Sequence, residues 1–98
     1  MIRSFAKLVR VALGEAILDL QHGAQIGMPL SRPMTDVKPG VHELRIRDAS
    51  GAFRAFYYLK SSRGVLVFHA FEKKSQRTPA GEIRLGRKRL EEMLYEKR

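Results

Sequence analysis

The segment His69-Ala70-Phe71-Glu72-Lys73-Lys74-Ser75-Gln76-Arg77-Thr78-Pro79 carries an apolar strand directly into a basic turn and then a helix start. It sets the ring of Phe71 and three cations, Lys73, Lys74 and Arg77, beside a sheet end. An ammonium or guanidinium is costly to bury unpaired and cheap to keep in water, so such a cluster is either a solvated edge or a socket for an anion. More cations lie upstream. Val41–Arg47 alternates, with His42, Leu44 and Ile46 on one face and Glu43, Arg45 and Arg47 on the other, and Phe53–Leu59 is a second strand bearing Arg54 and Tyr57. A hairpin register that pairs Arg54 with Arg45 or Arg47 puts three guanidinium groups on one sheet face, where like charges directly opposite each other repel. An anion relieves that repulsion.

Other chemistries lack their residues. His22, His42 and His69 stand at unrelated places with no i, i+4 partner, and cysteine is absent, so neither zinc-type spacing nor a thiolate nucleophile is available. No phosphate-cradling glycine loop, nucleophile elbow or recognisable serine triad is present. Glu43 and Glu72 could act as bases, although isolated carboxylates are more often salt-bridge partners, and His69 reads as a strand histidine held by hydrogen bonds. What remains is a set of cations and aromatics on a small antiparallel sheet. That set suits a phosphodiester.

The elements that must position these groups follow from periodicity. Phe5, Leu8, Val9, Ala12, Leu13, Ala16, Ile17 and Leu20 form one helix face, with Ser4 to cap it and Gly23 to end it. Gly23 to Gly40 is so rich in Gly and Pro that it reads as a connecting loop. The hairpin turns at Asp48-Ala49-Ser50-Gly51, a second turn lies at Lys60-Ser61-Ser62-Arg63-Gly64, and Val65–Phe71 is a strand apolar on both faces, expected to be central. Thr78 caps and Pro79 opens a last helix whose stripe is Ile83, Arg87, Leu90 and Leu94, leaving Arg84, Lys88 and Arg89 exposed.

The chain of 98 residues suits one domain, residues 1–98, and its 44% hydrophobic and 30% charged content predicts a folded state. Nineteen Lys and Arg against 10 Asp and Glu give a net charge of +9, which makes polyanions the natural partners. Residues 60–98 hold +6 of that charge and residues 1–59 hold +3, so the field is weighted toward the C-terminal part. The longest apolar run, Val65–Phe71, is far below the ~20 residues that span a bilayer. A cytoplasmic protein without a membrane segment is expected.

Glu43-Leu44-Arg45, Gly51-Ala52-Phe53-Arg54-Ala55-Phe56-Tyr57, the His69–Pro79 segment, Glu82-Ile83 and Arg89 together resemble the phage-derived HigB-type branch of the RelE toxin superfamily. The likeness runs from about Phe5 to about Arg89, and its specific part is the strand end Phe71-Glu72-Lys73-Lys74-Ser75-Gln76-Arg77-Thr78-Pro79. It implies an α+β fold, a small antiparallel sheet packed by an N-terminal helix, with a C-terminal helix. Members usually begin with a strand before the segment corresponding to Phe5–Leu20. Here almost nothing precedes it, so either the sheet lacks that first strand or the start lies inside a longer reading frame.

The resemblance further implies the toxin of a type II toxin–antitoxin system, a ribosome-dependent, metal-independent endoribonuclease that cleaves mRNA and needs no cofactor. Its partners would be mRNA on the ribosome and a cognate helix-turn-helix antitoxin, with homo- or hetero-oligomers formed through that antitoxin. The family's basic positions fall on Arg45, Arg54, Lys73 and Lys74, and its aromatic falls on Phe71. Arg45, Arg54, Lys73 and Phe71 are therefore expected to act on the scissile phosphate and an adjacent base, and Lys74, Arg47, Tyr57 and Arg77 to bind RNA. The general base stays open between Glu43 and a lysine of lowered pKa. Two rival readings use the same residues. One is a non-catalytic RNA- or ribosome-binding module of the same fold; the other is a scaffold in which Arg45 and Arg54 pair with Glu43 and Asp48.

Overall fold

The alternation of residues 41–47 and 53–59 predicts a hairpin, and the computed structural model, which describes residues 7–23, 27, 30–48, 51–59, 64–73 and 78–96, forms one. Helix α1 (Lys7–Gln21) is followed by β1 (Ser31–Pro33), β2 (Val41–Asp48), β3 (Gly51–Tyr58), β4 (Leu66–Lys73) and α2 (Ala80–Glu96). The strands make one antiparallel sheet in the order β1-β2-β3-β4. The α+β architecture is therefore as the sequence implies. Ser4 and the place of a leading strand lie outside the described residues.

Each sheet face has its own core because the strands alternate. Leu13 and Leu20 of α1 pack on Leu44, Phe53, Ala55, Tyr57 and Ala70. On the other face Leu90 of α2 packs with Val41, Phe56, Tyr58, Leu66, Phe68 and Phe71. Burial of a ring the size of Phe56, which has no exposed surface, contributes roughly 1.5–3 kcal/mol, so the two helices are held mainly by these apolar contacts. α1 ends as its spacing predicts: Gly23 takes φ +94° and its amide donates to the Leu20 carbonyl.

Three expectations change. The tract read as loop contains β1, whose three residues pair with His42, Glu43 and Leu44, and Pro33 is tolerated because β1 is an edge. β4 lies at the opposite edge of the described sheet rather than at its centre. Helices cover both of its faces, so its apolar run, interrupted at His69, reports covered faces and not two strand neighbours. At the start of α2 it is the Pro79 carbonyl that accepts from the amides of Glu82 and Ile83, which makes Pro79 the N-cap, while the Thr78 hydroxyl turns away to Glu43.

Candidate nucleic-acid interface

The hairpin register brings the upstream arginines together. Arg45 is the direct cross-strand partner of Arg54, and one row nearer the turn Arg47 opposes Ala52, which in turn opposes Lys73 of β4. Arg32 of β1 lies opposite Glu43, and Glu43 opposes Phe56. Period-2 alternation then sets Arg32, Glu43, Arg45, Arg47, Arg54, Phe71 and Lys73 on the sheet face that α2 partly covers. Five cations share that face with the Glu43 carboxylate.

Glu43 is almost wholly buried, at 1% exposure, and its Oε1 lies 3.6 Å from Nε of both Arg32 and Arg54. The Thr78 hydroxyl donates to its Oε2 at 2.9 Å. Arg54 is itself 4% exposed; one terminal nitrogen donates to the Phe53 carbonyl at 3.1 Å, but its Nε is buried without a hydrogen bond. Burial pulls the Arg54 guanidinium below the ordinary arginine value; Glu43 opposes that shift, and the positive charges of Arg45, Arg47 and Arg32 add to it. Lys73 is likewise lowered, first by burial, then by Arg54, with Glu43 opposing and Arg45 and Arg32 adding. A lysine so placed loses its proton more readily than one in water.

Arg45 is half-buried and Arg47 exposed, and with Arg54, Leu30 and Ile46 they line a depression of about 360 Å³ beside the short edge strand. Neither Arg45 nor Arg47 forms an ion pair with a described residue. Such a concentration of positive charge attracts phosphate groups. Among the described residues no three His, Cys, Asp or Glu side chains gather in a way that would hold a metal ion, and no helix is long and apolar enough to cross a membrane.

Residues 1–91 match the family model described as Phage derived protein Gp49-like (DUF891). The chain belongs to this family. It is a RelE-like, toxin-like family, in agreement with the superfamily that the strand-end motif suggests. No curated protein and no solved structure matches the chain.

In this Gp49-like chain, Arg45, Arg54, Lys73, Phe71 and Arg47 share one face, whereas Tyr57 does not join them. Tyr57 packs under α1 on the other face, 1% exposed, its hydroxyl 2.5 Å from Ser31 Oγ and its ring stacked on His42. Burial raises its pKa, with the Ser31 bond opposing. Phe71 lies opposite Arg54, but its ring is 8% exposed and covered by His69, stacked at 5.4 Å, and by the edge of Phe56 at 5.5 Å. Neither ring is open for base stacking. Lys74 and Arg77 lie outside the described residues. Glu43, offered as a base, is occupied by two arginines and a hydroxyl, and it pairs with Arg54 as the scaffold reading expects. Sequence reasoning missed Arg32, hidden in the presumed loop, and Arg89, expected exposed, which donates at 2.7 Å to Nδ1 of His69 while His69 Nε2 donates at 2.6 Å to Glu82. The strand histidine is thus hydrogen-bonded on both nitrogens.

Proposed function

We propose that this chain is a HigB-type toxin of a type II toxin–antitoxin pair, a ribosome-dependent endoribonuclease whose arginines hold an mRNA phosphate while the neighbouring ribose 2′-hydroxyl attacks it. The observation that carries this reading is the cross-strand opposition of Arg45 and Arg54, with Arg47 and Lys73 in the adjacent row and Glu43 as the carboxylate between Arg32 and Arg54. Cations held against their own repulsion are set up to receive an anion.

The chemistry follows from those groups. Arg45 and Arg54 bind the non-bridging oxygens, where negative charge grows as the 2′-oxygen bonds to phosphorus; stabilisation of that growing charge is often the largest single contribution to such catalysis. Lys73 stands in the row beside Arg54, where burial and the Arg54 charge enlarge the small fraction of it that is neutral. That fraction takes the 2′-hydroxyl proton, Glu43 being occupied by two arginines and a hydroxyl. The bond from phosphorus to the 5′-oxygen breaks, that oxygen takes a proton from water, and the base returns its proton to solvent, leaving a 2′,3′-cyclic phosphate and a 5′-hydroxyl. Phe71 serves as the buried cross-strand neighbour of Arg54, not by stacking on a base. Because side-chain cations carry the charge, cleavage should persist in EDTA. The partners on this reading are mRNA in the ribosome and a helix-turn-helix antitoxin in the cytoplasm.

Expression of the chain alone tests it. The expected result is growth arrest with new mRNA 5′ ends by primer extension, lost in Arg54→Ala and suppressed when the protein of the adjacent reading frame is co-expressed. Wild-type expression that yields no new ends overturns the nuclease, and cleavage quenched by chelator overturns the metal-independent route.

The covered rings of Phe71 and Tyr57 favour a second reading, a module that grips RNA or a ribosomal surface by charge without cutting. Salt-sensitive RNA binding by wild type in the absence of new ends would select it.

A further inference from the structure

Glu43 makes more contacts than a charge partner of one arginine needs. It projects from the second strand between Arg32 and Arg54, with Oε1 3.6 Å from Nε of each, and Oε2 receives the Thr78 hydroxyl at 2.9 Å. Thr78 immediately precedes Pro79, whose carbonyl starts α2. One buried carboxylate therefore joins three elements: the edge strand through Arg32, the central hairpin through Arg54, and the entry to the C-terminal helix through Thr78. At 3.6 Å the Arg54 Nε is outside hydrogen-bond reach and has no other partner. The guanidinium is held by charge and by the Phe53 carbonyl, with its Nε donor unspent.

We propose that Glu43 is the positioning residue of the phosphate site: it fixes the Arg54 guanidinium beside Arg45 and, through Thr78, makes that pose depend on the docking of α2. This deepens the ribonuclease reading and rests on it. Without the carboxylate, Arg54 would face Arg45, Arg47 and Lys73 in a poorly hydrated setting and would rotate toward water. The face would then be more positive but less ordered. Attraction for RNA and competence in the reaction should therefore separate, since the first follows net charge and the second follows geometry.

Glu43→Gln and Thr78→Val, each measured per folded molecule, test this in two ways. In Glu43→Gln, kcat should fall about 100-fold, a loss of the size seen when an oriented charge is displaced, while affinity for a non-cleavable 2′-O-methyl RNA stays equal or tightens. Thr78→Val should move kcat the same way by a smaller factor and leave RNA affinity unchanged. The second measurement needs no catalysis: the Arg54 Nε–H resonance, assigned with Arg54→Lys, should be protected from solvent exchange in wild type, lose that protection in Glu43→Gln, and exchange faster in Thr78→Val together with the first-turn amides of α2. If wild type cleaves no RNA, the nuclease reading fails and the resonance alone decides the positioning. Retention of protection in Glu43→Gln, kcat within about twofold of wild type, or RNA affinity falling in parallel with kcat overturns the inference. Exchange at Arg54 that is unaltered in Thr78→Val overturns the link to α2.

Discussion

Arg45 and Arg54 are direct cross-strand partners on a sheet face whose buried carboxylate, Glu43, lies near Arg54 and is shared with Arg32. Like charges opposite one another on a sheet destabilise it by roughly 0.2–1 kcal/mol, so the fold carries a cost at this position that packing does not require. Arg45→Gln should therefore raise the stability measured by urea unfolding by an amount within ~0.2–1 kcal/mol at low ionic strength, with the gain shrinking at high salt. RNA affinity should fall in the same variant. A variant that is less stable at low salt would show that the opposition is relieved within the protein.

The salt response of RNA binding gives an independent reading of the same face. Each phosphate neutralised on a single strand contributes about −0.7 to the slope of log affinity against log salt. Arg47 is exposed and lines the depression, so Arg47→Ala should flatten that slope by ~0.7 without altering stability. Fluorescence anisotropy titrations at several salt concentrations measure it. An unchanged slope would place the RNA elsewhere.

Much of this arrangement was legible in the sequence, and the reasons for the rest are physical. Alternation in 41–47 and 53–59 assigned the faces but left Arg54 opposite either Arg45 or Arg47, and it is the pairing of Asp48 with Gly51 in the folded hairpin that makes Arg45 the partner. Parity also carried information that residue type obscured: Arg54 and Tyr57 are an odd number of positions apart, and that alone assigns them to opposite faces of β3. β1 gave no periodic signal, because three residues among glycines and prolines are too few for one, and Arg32 went unseen with it. In β4 a bulge pairs Phe56 with His69 and Tyr57 with Val67, so Phe68 is extra and joins the core beneath α2. No pattern of apolar residues announces that insertion. The Glu43–Thr78 bond spans 35 residues and is a product of packing alone.

Tyr57 belongs to the α1 face, and its variant should behave as a core change. Tyr57→Phe leaves Ser31 Oγ, in a residue 1% exposed, without the hydroxyl that lies 2.5 Å away. An orphaned buried polar group costs about 1–3 kcal/mol, so unfolding should move to lower urea by that amount. RNA affinity should stay as in wild type. A weakened RNA complex from a variant of wild-type stability would return Tyr57 to the binding surface.

His69 ties β4 to α2, accepting from Arg89 on Nδ1 and donating from Nε2 to Glu82, an arrangement that requires the neutral ring. Burial lowers its pKa below the ordinary histidine value, the Glu82 bond opposes, and the Arg89 charge adds to the lowering. The unfolded chain thus binds the proton more readily than the folded one. The contribution of neutral His69 is complete above the unfolded value, about pH 6.5, and is lost as pH falls from there through the lowered folded value. Urea midpoints on either side of that window should show wild type losing stability on acidification, and His69→Phe losing less. Equal losses in both proteins would assign the pH dependence to other groups.

Helix α2 reaches the sheet closely enough to cover the cationic face because Gly86 has no side chain. A Cβ at Gly86 would stand 2.8 Å from Cδ2 and 3.0 Å from Cε2 of Phe56, a ring with no exposed surface and with His69, Phe68 and Phe71 around it. Alanine is favoured over glycine inside a helix by about 1 kcal/mol, so propensity alone predicts that Gly86→Ala stabilises. Overpacking a filled core opposes this by roughly 1–3 kcal/mol, and the Phe56 ring has nowhere to move. The steric effect should win, giving a net loss of stability. The helix would be lifted at its middle, and the strain would reach His69 and Thr78 through the bonds they make across the helix–sheet boundary. The measurement is urea unfolding of Gly86→Ala beside the double variant Gly86→Ala/Phe56→Leu, in which the smaller side chain makes room. Partial recovery in the double variant confirms the clash, whereas a Gly86→Ala protein more stable than wild type would mean that α2 rides higher on the sheet than these distances require.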